Sequence, residues 1–170
     1  LDNTNNASTS DIYIYNSTIK FDANSDSDYT FRFDVNTTGD IRIIDSEINS
    51  THFRTSVIEL EGADIQVTNS TLWSGTKYTG GGCYHRCNTD DIYSHLNIYS
   101  DNLTVKNSLL IADSQVTGSN TDNRYYIHAY SYVDLEVSDF DISDSSLISR
   151  TYHNHVRSST TSRTANTDFD

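Results

Sequence analysis

Proline and methionine are absent from this 170-residue chain, lysine occurs three times and glutamate four times. The residues that usually clothe a helix surface are missing, which excludes a helix bundle. No apolar run reaches the roughly 18 residues that a membrane-spanning helix needs. No signal peptide is visible, and a start at Leu1 in place of Met fits a processed or excised product. Positive charge is also scarce. Eleven Lys and Arg stand against 24 Asp and Glu, a formal net charge of -13, and they are scattered. Nucleic-acid binding, which needs clustered cations, is excluded, and anionic membrane surfaces are disfavoured. Only two cysteines occur, Cys83 and Cys87, beside a glycine triplet. In an exported protein that spacing reads as a local disulfide.

What is abundant is short and polar. Asp, Asn, Ser and Thr together make 81 residues, types whose side chains compete with a helical backbone for hydrogen bonds. Tyr, Phe and Trp add 19 residues suited to strands, so the chain reads as all-β. An apolar content of 35% suffices for one domain if its core is narrow and repetitive.

A repeat supplies that core. DIYIYNSTI from Asp11, DIRIIDSEI from Asp40, DIQVTNSTL from Asp64, NLTVKNSLL from Asn102 and DLEVSDFDI from Asp134 share one pattern. Two apolar residues alternate, an Asn or Asp makes a turn, and an Ile or Leu re-enters the core. FRFDV, VIEL, LNIY and YIHAYSYV are further strand-like segments before the repeats. The turn residues are Asn16, Asp45, Asn69, Asn107 and Asp139, read as a structural ladder of stacked side chains and not as ligands. The pattern resembles the right-handed parallel β-helix superfamily, the pectate-lyase-like solenoids, over residues 11–149. The resemblance implies about five stacked coils, each strand pairing with its equivalent one coil away at about 4.8 Å. A β-sandwich is the competing architecture.

The domain is placed at 11–157, with an inserted loop at 73–91 and polar tails at 1–10 and 158–170. Trp73, Tyr78, Tyr84, His85, Asp90 and Asp91 make that loop the candidate binding loop, since long loops on a scaffold are where recognition concentrates. Its Asn88-Thr89-Asp90 resembles a motif of the polygalacturonase-type glycoside hydrolases. That family's Gly-His-Gly and Arg-x-Lys are missing here, so the correspondence stops at Asp90. Asp90 and Asp91 would point to opposite sides of a strand, unlike an acid and base facing one sugar. No catalytic residues are assigned, and the chain is read as no enzyme. Cys83, His85, Cys87 and His95 match no common zinc spacing, and the remaining histidines form no catalytic set. No metal site is assigned; the spacing of Asp22, Asp26 and Asp28 partly resembles an oxygen-ligand loop, but the glycine and distal Glu of an EF-hand are lacking, so a solvated acidic turn is preferred and structural calcium is kept as the alternative. Tyr125, Tyr126, Tyr130 and Tyr132 divide between core packing and carbohydrate stacking.

Six sequons occur, at Asn6, Asn16, Asn36, Asn49, Asn69 and Asn102. Asn6, Asn36, Asn49 and Asn102 are the favoured carriers of N-linked glycans, Asn6 being assigned to a polar tail and the others to positions in or beside exposed turns. The Ser/Thr/Asn-rich tails read as segments that gain order from a partner, and no helix is available to cap the terminal coils. The function expected is an extracellular, cell-surface structural subunit. It would assemble with copies of itself into a filament, pilus-like fibre or surface layer, without a cofactor, nucleic acid or membrane insertion. The alternative is a carbohydrate-active or carbohydrate-binding β-helix domain, a polygalacturonase-like hydrolase or adhesin.

Overall fold

The computed structural model describes residues 10–23, 30–80, 89–118, 126–155 and 163–169. These residues form twelve strands. They are β1 (Ile12–Tyr15), β2 (Thr18–Ala23), β3 (Thr30–Asn36), β4 (Ile41–Ile44), β5 (Glu47–His52), β6 (Thr55–Thr68), β7 (Thr71–Gly80), β8 (Thr89–Lys106), β9 (Leu109–Gly118), β10 (Tyr126–Ser143), β11 (Ser146–His155) and β12 (Arg163–Phe169). All pairings are parallel, and they make two sheets. The larger runs β1-β4-β6-β8-β10-β12, with β3 also on β6; the smaller runs β11-β9-β7-β5-β2. No helix among the described residues is long and apolar enough to cross a membrane.

The repeat sets the register. Ile12, Ile41, Ile65, Leu103 and Phe140 lie opposite one another along the larger sheet, as do Ile14, Ile43, Val67, Val105 and Ile142. Their partners across the core are Ile48, Leu72 and Leu110 of the smaller sheet, so both sheets share one apolar core. A second seam is polar. Where the sheets meet, Ser50 Oγ lies 2.7 Å from Ser56 Oγ, Ser74 Oγ donates to the Ser56 carbonyl at 2.9 Å, and Ser94 Oγ donates to the Asp113 carbonyl at 2.9 Å. Thr76 Oγ1 donates to Ser114 Oγ at 3.0 Å, and Ser131 Oγ to the Arg150 carbonyl at 2.7 Å. Buried hydroxyls are tolerated there because each finds a partner.

The turn between the sheets is built twice over. Asn16, Asp45, Asn69 and Asn107 have φ between 45° and 52°, the left-handed region that Asn and Asp enter more readily than other side chains. The serine that follows does the stacking. Ser17 N–H donates to Ser46 Oγ at 3.2 Å, Ser46 N–H to Ser70 Oγ at 3.0 Å, Ser70 N–H to Ser108 Oγ at 3.1 Å and Ser108 N–H to Ser145 Oγ at 3.1 Å. Each serine hydroxyl also donates to the carbonyl two residues back, as Ser70 does to Thr68 at 2.7 Å.

This ladder corrects the fifth repeat. Its turn residue is Asp144, with φ 50°, and not Asp139. Asp139 pairs with Asn102 at the first position of the repeat, so the unit is DFDISDSSL from Asp139 and not DLEVSDFDI from Asp134. The two alignments are easily confused because the long strands slip in phase. Leu135 and Phe140, like Ile98 and Leu103 or Leu60 and Ile65, are inner-row residues five apart, and the pairing skips Ser138, Asp101 and Ala63 between them. The same break brings backbones close together: a Cβ on Gly39 would lie 2.8 Å from Asp11 Oδ1 and 3.0 Å from the Ser10 carbonyl carbon.

Candidate functional site on the outer face of the larger sheet

Alternation sends every second residue of β3, β6, β8 and β10 outward, and parallel register lines these up in rows. Thr30, Thr55, Tyr93 and Tyr130 form one; Arg32, Val57, His95 and Tyr132 the next; then Asp34, Glu59, Asn97 and Asp134; then Asn36, Glu61, Tyr99 and Glu136. The face therefore carries an aromatic patch beside a band rich in carboxylates.

The four rings are nearly parallel. Tyr93 and Tyr130 have centroids 5.1 Å apart at 11°, and His95 and Tyr132 lie 4.9 Å apart at 16°. Tyr130 and Tyr132, on one strand, are 6.3 Å apart at 9°. At such separations parallel rings lean on one another as offset stacks, and all four residues are half-buried. Burial pushes the Tyr93 phenol up to about 12, helped by its hydrogen bond to Asp91 Oδ2 at 3.1 Å. Burial also holds His95 below the ordinary histidine range, keeping the imidazole neutral within the stack.

Below the rings, Asn97 Nδ2 donates to Glu59 Oε2 at 3.2 Å, and Arg32 Nη2 lies 3.5 Å from the same oxygen. Asn36 Nδ2 donates to Glu61 Oε2. At the phase slip the face ends in an open groove lined by Thr37, Glu61, Tyr99, Asp101 and Glu136. Rings, amides and carboxylates side by side are suited to contacting hydroxylated ligands. Among the described residues no three His, Cys, Asp or Glu side chains come together to hold a metal ion.

The structure disperses the candidate binding loop. Trp73–Gly80 belongs to strand β7 and Thr89 opens β8, so the described parts of this segment, 73–80 and 89–91, are strand. Tyr78 faces inward, 5% exposed, in a small cluster with Ile92, Val116 and Ala129, while Trp73 is on the outward face of the same strand. Asp91 is on the larger sheet's outer face, and Asp90 enters β8 beside it. Cys83, Tyr84, His85 and Cys87 lie outside the described residues, as does Asn6. Period-two reading missed β7 because Ser74 and Thr76, its inner residues beside Tyr78, serve the hydroxyl seam and not the apolar core.

The sequons also sort differently. Asn49 is not in an exposed turn but half-buried inside β5, where its Oδ1 accepts from Thr51 Oγ1 at 2.9 Å. Asn102 is exposed within β8, its Nδ2 donating to Asp64 Oδ1 at 2.6 Å. Asn36 is exposed at the end of β3. Asn16 and Asn69, the turn residues, are exposed, and Asn69 Nδ2 donates to Asp45 Oδ1 at 3.0 Å. Asp22 is exposed in β2, and Asp26 and Asp28 lie outside the described residues. The polar C-terminal segment contains β12, paired with Ala129–Leu135 of β10.

One charged pair escaped sequence reading altogether. Asp113, 1% exposed, accepts from Arg150 Nη2 at 2.8 Å and Gln115 Nε2 at 2.7 Å. Arg150 lies 37 positions away in sequence and becomes its neighbour only through the β9–β11 register. Next to it Gly75 leaves room for Trp73, whose Nε1 would lie 3.0 Å from a Cβ at that position.

Comparison with protein-family models, with curated proteins and with solved structures finds no match.

Proposed function

We propose that the chain is a right-handed parallel β-helix and serves as an extracellular structural subunit, built to extend along its axis. The supporting observation is the turn ladder: the same left-handed Asn or Asp and the same serine recur in five successive layers and bind layer to layer. Parallel strands joined through a second sheet favour right-handed crossovers. A solenoid whose layers are interchangeable lengthens without redesign, which suits a fibre or surface layer. The acidic exterior, from a formal charge of -13, keeps such an assembly hydrated and opposes sideways association. N-linked glycans on Asn16, Asn36, Asn69 and Asn102, whose side chains are exposed, would add to that coat.

The test is electron microscopy of the native protein. Fibres or sheets support the structural role, and discrete particles at every concentration overturn it. The four-ring patch favours a second reading, carbohydrate binding on the larger sheet's outer face. Polysaccharide binding lost in a Tyr93→Ala/Tyr130→Ala variant would favour it.

A further inference from the structure

Among the described strand pairings, tyrosine meets tyrosine at one position. Tyr93 of β8 lies opposite Tyr130 of β10, whereas Tyr132 meets His95, Tyr99 meets Glu136 and Tyr13 meets Arg42. Parallel strands in register send paired side chains out in the same direction from backbones about 4.8 Å apart, so the two phenols stand side by side with like atoms adjacent. Their centroids are 5.1 Å apart at 11°. Thr55 precedes Tyr93 in the same row, so Tyr130 is its phenol neighbour across the layers. Both tyrosines are half-buried, and each keeps part of its surface in solvent.

A proton acceptor is already in place. Tyr93 O–H donates to Asp91 Oδ2 at 3.1 Å, and Asp91 is exposed on the outer face. Burial pushes the Tyr93 phenol up to about 12, so near neutral pH it still carries its proton, and an electron leaves it most readily when the proton leaves too. A carboxylate positioned at hydrogen-bond distance is the general base for that step.

We propose that Tyr93 and Tyr130 are an oxidative modification site, joined by hydrogen peroxide and a haem peroxidase into a dityrosine that staples β8 to β10. Each phenol gives up one electron and its O–H proton; the Tyr93 proton passes to Asp91 Oδ2 and the Tyr130 proton to water. The two phenoxyl radicals pair their odd electrons in a bond between ring carbons ortho to the oxygens. Each of those carbons then loses its hydrogen as a proton while its oxygen regains one, restoring both phenols. In net terms two C–H bonds break, one C–C bond forms, and two electrons and two protons convert the peroxide to two waters. Holding the rings as neighbours makes the coupling effectively unimolecular, which favours it over encounters between chains. Both rings belong to one chain, so the inference goes beyond the structural reading above and does not depend on assembly. The staple would restrain the unfolded chain as a disulfide does.

The test is treatment of the full chain with hydrogen peroxide and a haem peroxidase, followed by denaturing separation of the monomer. The monomer should gain dityrosine fluorescence, lose the mass of a pair of hydrogens, and show the link between Tyr93 and Tyr130 on peptide fragmentation. Its urea midpoint should rise. Tyr93→Phe and Tyr130→Phe, which keep the rings and leave far-UV circular dichroism unchanged, should each lose the monomer cross-link, and Tyr132→Phe should retain it. A monomer link between other tyrosines, an equal yield in Tyr93→Phe, or no monomer link under conditions that couple free tyrosine overturns the site. Asp91→Asn, whose amide oxygen is a poor base, should slow coupling several-fold where Tyr132→Phe does not; equal rates overturn Asp91 as the proton acceptor.

Discussion

Replacing Ser70 by alanine removes one hydroxyl from the middle of the turn ladder, and its cost follows from counting partners. Ser70 is 4% exposed, its Oγ accepts the Ser46 N–H at 3.0 Å, and it donates to the Thr68 carbonyl at 2.7 Å. The Thr68 carbonyl keeps a second donor, Asp45 N–H at 3.0 Å, so its loss is small. The Ser46 N–H is different: in the alanine variant it stays buried with no acceptor, which costs about 1–3 kcal/mol. With a urea dependence of about 2 kcal/mol/M, a loss of about 2 kcal/mol lowers the unfolding midpoint by about 1 M. Ser108→Ala should match it, because Ser108 Oγ accepts the Ser70 N–H at 3.1 Å in the same geometry. Ser17→Ala is the internal control. Its hydroxyl donates to the Tyr15 carbonyl at 2.7 Å and accepts no ladder N–H among the described residues, so at concentrations where copies do not associate its cost should stay below about 1 kcal/mol. Urea denaturation at neutral pH, followed by far-UV circular dichroism, reads all three. Equal midpoints for Ser17→Ala and Ser70→Ala would refute the ladder as the source of turn stability.

Leu103→Ala, from a 1% exposed rung of the apolar ladder, should cost about 2–5 kcal/mol. Phe140→Ala on the uncovered rung should cost dilute protein under about 1 kcal/mol, as read by the same urea titration. Asn107 sits at φ 49°, so Asn107→Gly should be neutral or stabilising and Asn107→Val destabilising by about 1–2 kcal/mol, measured as thermal midpoints. The phenol of Tyr93 should titrate near pH 12 by ultraviolet absorbance, above the ordinary value of about 10. Because its folded pKa is raised, mainly by burial, the stability it contributes is complete below pH 10 and is lost as pH rises through 12; Asp91→Asn should lower the midpoint only in part. His52, 3% exposed and accepting the Arg54 N–H at Nδ1, is held by burial below the ordinary histidine range of about 6.5. Its contribution is therefore present above pH 6.5 and lost as pH falls through its lowered pKa, and its ring proton resonances in NMR should titrate on the acid side of 6.5.

The sequence by itself determined the class of structure and its repeat. Alternating Ile and Val, an Asn or Asp able to turn left-handed, and a serine after it are local signals, and each acts within a few residues of itself. They are enough to specify parallel layers in register from Asp11 to Lys106. They were not enough at Asp139, because DLEVSDFDI satisfies the same short pattern five residues early and only pairing with β8 chooses between the phases. Nor could they reveal β7 or β12. The inner residues of β7 include hydroxyls whose partners lie on other strands, and β12 is a polar segment made into a strand by the edge of β10. The aromatic patch and the pairing of buried Asp113 with Arg150 have the same origin. Each joins residues one layer apart in space and dozens apart in sequence, and that distance is set by the lengths of the connections between strands, which no local pattern encodes.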